Sequence, residues 1–70
     1  MALSKRSFSL SGHRTSVALE AEFWAVLEAE AKRQSLSMAA FVGRIDAGRG
    51  TKPLASALRL AALAAAKSAG

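Results

Sequence analysis

The sequence predicts an α+β fold that is mostly α: a short β element at the N-terminus followed by three helices. Apolar residues alternate with polar ones up to Leu19, then recur about every four residues from Glu20 onward. Glycine or proline interrupts both patterns, at Gly12, at Gly48 and Gly50, and at Pro53. Alanine fills 17 of the 70 positions, which favours helix in the second part of the chain.

Ser7-Phe8-Ser9-Leu10 alternates as a strand with one buried face does, and predicts a strand at 7–10. A second strand is predicted at 14–19, where Thr15, Val17 and Leu19 share one face and Arg14, Ser16 and Ala18 the other. With Gly12-His13 as a two-residue type II′ turn, Leu10 lies opposite Thr15, Ser9 opposite Ser16, Phe8 opposite Val17 and Ser7 opposite Ala18. Every apolar residue of the hairpin then meets the inner face and every serine the outer one.

The first helix is predicted at 20–34, with Phe23, Leu27 and Ala31 as its inward stripe and Trp24 partly packed beside it. Glu20 and Glu22 at its start and Lys32 and Arg33 at its end suit the helix dipole. The second helix spans 37–48, with Ser37 as N-cap and Phe41, Val42 and Ile45 inward. Pro53 opens the third, at 53–67, whose stripe is Leu54, Leu58, Ala61 and Ala65. Leu60 and Leu63 fall on its other faces, so burial on more than one side is expected.

Length and composition narrow the function. The 70 residues make a single domain, 1–70, and a monomer of this size is marginal, so a core shared with a second copy is expected. The absence of cysteine excludes disulfides, thiolate zinc sites and thiol nucleophiles, and points to a reducing, cytoplasmic setting. His13, the one histidine, has no partner ligand at a metal-binding spacing, and the helical glutamates suggest no cleft. The expectation is therefore no enzyme, no metal and no cofactor. Residues 1–19 are basic and serine-rich, but no secretory apolar segment follows Lys5-Arg6, and no apolar run is long enough for a membrane span.

Charge is uneven. The net charge is +5, of which residues 1–19 carry +3 and residues 35–70 carry +4, with −2 between them. Such a balance favours a polyanionic partner, nucleic acid first.

Arg14-Thr15-Ser16-Val17-Ala18-Leu19, then Phe23, Leu27 and Ala31, then Leu36-Ser37, Phe41-Val42 and Ile45, follow one another at spacings that resemble the ribbon-helix-helix (MetJ/Arc-type) family. The fuller string, from Lys5-Arg6-Ser7 through Gly12-His13-Arg14 and Phe23-Trp24 to Ser56-Ala57-Leu58-Arg59, resembles a small bacterial subgroup with an added N-terminal strand and a third helix. The resemblance implies a homodimer whose strands pair antiparallel across a twofold axis. It further implies a DNA-binding transcriptional regulator that reads the major groove with its ribbon.

Carried over by position, Arg14, Ser16 and Ala18 would face the bases, and Ser37 with the amides of Met38 and Ala39 would hold a phosphate. Two positions depart from the pattern: family members often have a lysine or arginine where Met38 stands, and a glycine where Ser35 stands. A dimeric protein-interaction module that keeps the fold without binding DNA is the alternative. It gains from the added strand: four strands across a dimer set the outer strand axes about 14 Å apart, whereas the major groove is about 12 Å wide.

Overall fold

The computed structural model describes residues 2–69. Two antiparallel strands, β1 (Leu3–Leu10) and β2 (His13–Glu20), are followed by three helices, α1 (Ala21–Arg33), α2 (Met38–Gly48) and α3 (Leu54–Ala69). The hairpin lies on the helices, with α2 against β1, and α1 and α3 against β2.

The hairpin closes one residue earlier than its sequence suggests. Leu10 pairs with His13, Ser9 with Arg14, Phe8 with Thr15, Ser7 with Ser16, Arg6 with Val17 and Lys5 with Ala18. The turn is Ser11-Gly12, not Gly12-His13, and both residues have positive φ (51° and 80°). Two positive values are the signature of a type I′ turn, which matches the twist of the flanking strands and takes glycine readily at its second position. The register therefore differs by two residues from the expected one. A shift of two leaves every side chain on its expected face.

That inner face is the floor of the core. Phe8, Leu10, Val17 and Leu19 are buried against Trp24, Leu27, Phe41, Val42 and Leu58. Both strands are longer than the alternation indicates, and β1 gains most, because Arg6 takes an inward position on it. Its guanidinium lies 5.0 Å from the Trp24 ring centroid, and its Nη1 donates to Glu28 Oε2 at 2.6 Å. The aliphatic stem follows apolar surface while the charged head stays at the rim, so the ladder continues through a residue that looks polar.

Trp24, expected to pack only partly, is 1% exposed, whereas Phe23 is half-buried. The inward stripe of α1 is thus Trp24, Leu27 and Ala31 instead of Phe23, Leu27 and Ala31. Trp24 packs under β1, its ring centroid 6.0 Å from that of Phe8, and its indole Nε1 donates to the Ser4 carbonyl at 2.7 Å. A buried indole needs such an acceptor, and the added strand supplies it.

One chain covers more of its core than its length suggests. For the apolar residues Phe23, Leu27, Phe41, Val42 and Ile45 of α1 and α2, the sequence leads one to expect cover from a second copy. Leu27, Phe41 and Val42 are buried by elements of the same chain and Phe23 and Ile45 partly so, with α3 contributing Ala57, Leu58 and Ala62. The second apolar face of α3 is not covered: Leu60 and Leu63 are about half exposed, at 51% and 50%.

Between α1 and α2 the chain turns through a complete Schellman motif. Ser35 N–H donates to Lys32 O at 3.0 Å and Leu36 N–H to Ala31 O at 2.8 Å. This geometry needs a left-handed residue after the C-cap, and Ser35 adopts it with φ +59°. A Cβ there costs about 1–2 kcal/mol, part of which glycine returns through the greater freedom of the unfolded chain. Ser35→Gly is therefore expected to stabilise the fold by about 0.5–1 kcal/mol. A urea titration checks this, and a lower midpoint for the glycine variant contradicts the assignment.

Candidate nucleic-acid interface

The strand alternation that sends Phe8, Leu10, Val17 and Leu19 inward sends Arg14, Ser16 and Ala18 outward. Arg14 and Ser16 are exposed and Ala18 is half-buried. The hairpin register adds three residues absent from the expected set: Ser9 opposite Arg14, Ser7 opposite Ser16 and Lys5 opposite Ala18. All three are exposed. Ser16 is not a free reader, because its Oγ lies 2.8 Å from Ser7 Oγ across the ladder. The face thus has a hydroxyl pair at its centre and a cation toward each end. The signal for Ser7 and Ser9 is present in the sequence, as serines alternating with Phe8 and Leu10 on a strand paired to β2, whereas Lys5 lies beyond Arg6, where the alternation gives no strand.

Most of the acids form ion pairs. Glu28 pairs with Arg6, Glu30 with Arg33, Asp46 with Arg49 and Glu20 with Arg59. Glu30 accepts from Arg33 Nε at 2.9 Å and from the Gln34 side chain, and these bonds hold its carboxyl down to about 2. Glu20 closes β2, and hydrogen bonding at its own backbone, with Arg59 assisting, keeps its carboxyl below the ordinary value. Arg59 also lies 5.8 Å from the Phe23 ring centroid, repeating on α3 the arrangement of Arg6 on β1. Four of the five acids are thus occupied by arginines, and Lys5 and Arg14, like Lys32, Arg44, Lys52 and Lys67, carry no ion pair among the described residues.

Ser37, Met38 and Ala39 form a separate place, the start of α2. Ser37 Oγ accepts from Ala40 N–H at 3.1 Å, and the Ser37 carbonyl accepts from Phe41 N–H at 2.9 Å. The hydroxyl is therefore committed to capping, and the groups left for an anion are the first-turn amides of Met38 and Ala39. Met38 leans on the core and Ala39 is exposed. No side-chain hydrogen bond among the described residues joins this helix start to the outer face of the hairpin.

A ribbon-helix-helix domain model matches residues 3–66, from the start of β1 to late in α3. The chain belongs to the ribbon-helix-helix domain family. No curated protein and no solved structure matches it. Ribbon-helix-helix proteins are generally DNA-binding regulators that dimerise, and the fold is a non-enzymatic one. The match takes in β1 and α3 as well as the β2–α1–α2 segment, so the added strand and third helix belong to the ribbon-helix-helix domain itself. Among the described residues no cluster of histidine and acidic side chains is suited to a metal ion, and no helix is long and apolar enough to cross a membrane.

Because the Ser37 hydroxyl caps α2, Ser37→Ala should cost about 1 kcal/mol of stability with no ligand present, while Ser37→Asp should retain most of it. Thermal or urea unfolding of the two variants measures this. Equal stability of Ser37→Ala and the unaltered chain would show that the cap contributes nothing.

Proposed function

We propose that this ribbon-helix-helix chain acts as a homodimeric DNA-binding protein, a transcriptional regulator of the cytoplasm. Its hairpin turns Arg14, Ser16 and Ala18 toward the major groove, and the start of α2, at Ser37, Met38 and Ala39, receives a phosphate. The observation that carries this reading is the outer face of the hairpin. It is largely polar and exposed, with two cations that no acid pairs, while Glu20 at its end is held by Arg59 and Glu28, Glu30 and Asp46 are engaged by other arginines. A surface kept basic in this way attracts a polyanion and binds it in a salt-dependent manner.

Two features support dimerisation, the open sheet edge and the apolar face of α3. A two-stranded sheet has two open edges, and pairing β2 with a second β2 removes one of them. The exposed Leu60 and Leu63 are further apolar surface that a second copy can cover.

A protein-interaction module is the second reading, and one observation favours it. β1 is paired along its whole length, so a dimeric sheet would be wider than the two-stranded ribbon that enters a groove.

Fluorescence anisotropy with duplex DNA at two salt concentrations separates the two. The regulator reading expects binding that weakens steeply with salt. Arg14→Ala should lose about 1–3 kcal/mol of binding energy if the side chain reads guanine. Ser37→Asp, which keeps the cap but adds a negative charge at the phosphate position, should weaken binding on all sequences alike. Absence of binding at low salt favours the interaction module, and unchanged binding by Arg14→Ala removes that residue from the site.

A further inference from the structure

We infer that β1 stays docked when DNA is bound and that Lys5, on this added strand, touches a phosphate and works together with Arg14. This rests on the DNA-binding reading above and extends it to residues outside the expected site.

The first argument is the way β1 is fastened. Phe8 and Leu10 are buried, Trp24 Nε1 donates to the Ser4 carbonyl at 2.7 Å, and Arg6 bridges from β1 to Glu28 across the Trp24 ring. Peeling β1 away would expose the apolar surface of Trp24, Phe8 and Leu10 together and exchange the indole bond to the Ser4 carbonyl for one to water. A ligand that needed β1 to leave would have to offset all of these penalties. One that uses β1 in place offsets none.

The second argument is the geometry of the outer face. Lys5 pairs with Ala18 and Arg14 with Ser9, four residues apart along the ladder. At the usual rise per residue the two cations are rooted about 13 Å apart along the strands. The major groove is about 12 Å wide, so a hairpin lying across it sets Lys5 over one phosphate wall and Arg14 over the other. Between them are the Ser7–Ser16 hydroxyl pair, Ser9 and Ala18, all small enough to let the backbone come close. In a dimer the broadened sheet rests on the phosphates through the same two cations instead of entering the groove, so on this inference Arg14 keeps its place at the DNA surface but contacts phosphate in place of a guanine edge. Both positions then supply affinity with little sequence preference.

Two variants of the full chain test this, by anisotropy with two duplexes of unrelated sequence at 50 and 200 mM salt. Lys5→Ala should weaken binding to both duplexes by a similar factor. It should also lower the salt slope by about 0.9 for each phosphate no longer neutralised, which makes the fall in affinity between these salts about three- to fourfold smaller. Lys5→Arg should restore both. Lys5→Ala with affinity and slope equal to the unaltered chain overturns the role of Lys5.

The chain has no cysteine, so Ser7→Cys/Ser16→Cys introduces one possible disulfide, at positions whose Oγ atoms are 2.8 Å apart. Its oxidised and reduced forms should bind DNA equally, since cross-linking only fixes a pairing that persists. Binding by the reduced form alone shows that β1 must leave, and failure of the disulfide to form contradicts the register. If the unaltered chain binds neither duplex at 50 mM salt, the DNA-binding reading itself fails, a result distinct from a failure of Lys5 alone.

Discussion

Burial of one side of a two-stranded hairpin is the constraint on which the rest of this structure depends. Two strands alone are marginal in water and persist only when a face is covered. Phe8, Leu10, Val17 and Leu19 meet Trp24, Leu27, Val42 and Leu58, and once they are inside, the period of two dictates what is outside. Lys5, Ser7, Ser9, Arg14, Ser16 and Ala18 share the outer face as a consequence of that packing. Function on this face therefore depends on a core that its residues do not themselves enter.

Arginine has two uses here, and the difference matters for the surface. Arg6 and Arg59 each lie against an aromatic ring and pair with a glutamate, joining strand to helix on one side and helix to strand on the other. Such partly exposed pairs contribute little energy on their own, because solvent screens them. Their stems cover apolar rings, and their heads neutralise Glu28 beside the hairpin and Glu20 at its end. Arg14 has neither a ring nor an acid beside it among the described residues, so its charge remains directed at solvent. The same residue type thus fastens the hairpin from within and supplies its binding charge from without.

Much of this was legible in the sequence, and the parts that were not have identifiable causes. The alternation of Ser7 to Leu10 and of Arg14 to Leu19 led to the hairpin and to the correct faces, because face assignment survives a register shift of two. The register itself did not follow, since Gly12 suits either the first position of a type II′ turn or the second of a type I′ turn, and composition does not choose between them. The start of β1 was hidden by Arg6, a charged residue at an inward position whose stem does the packing. The burial of Trp24 is hard to see in the sequence because Phe23 gives the better four-residue spacing with Leu27. The ring that wins is the one whose N–H finds an acceptor, and that acceptor, the Ser4 carbonyl, lies twenty residues away on a strand that alternation did not reveal. The left-handed turn at Ser35 was foreshadowed by family positions where glycine is common, and the Schellman bonds show why serine there is strained.

The central claim is that the hairpin pairs in the Ser7–Ser16 register with its apolar side on the helices, so that Lys5, Ser7, Ser9, Arg14, Ser16 and Ala18 form one outward face. Cross-strand proton contacts measured by NMR on the free protein test it most directly. In an antiparallel ladder the Cα atoms of non-hydrogen-bonded pairs approach to about 4.5 Å, which brings their Hα protons close. The structure calls for strong Hα–Hα contacts between Ser9 and Arg14, between Ser7 and Ser16 and between Lys5 and Ala18. A strong Hα–Hα contact between Phe8 and Val17, or the absence of any contact between residues 3–10 and 13–20, would contradict it.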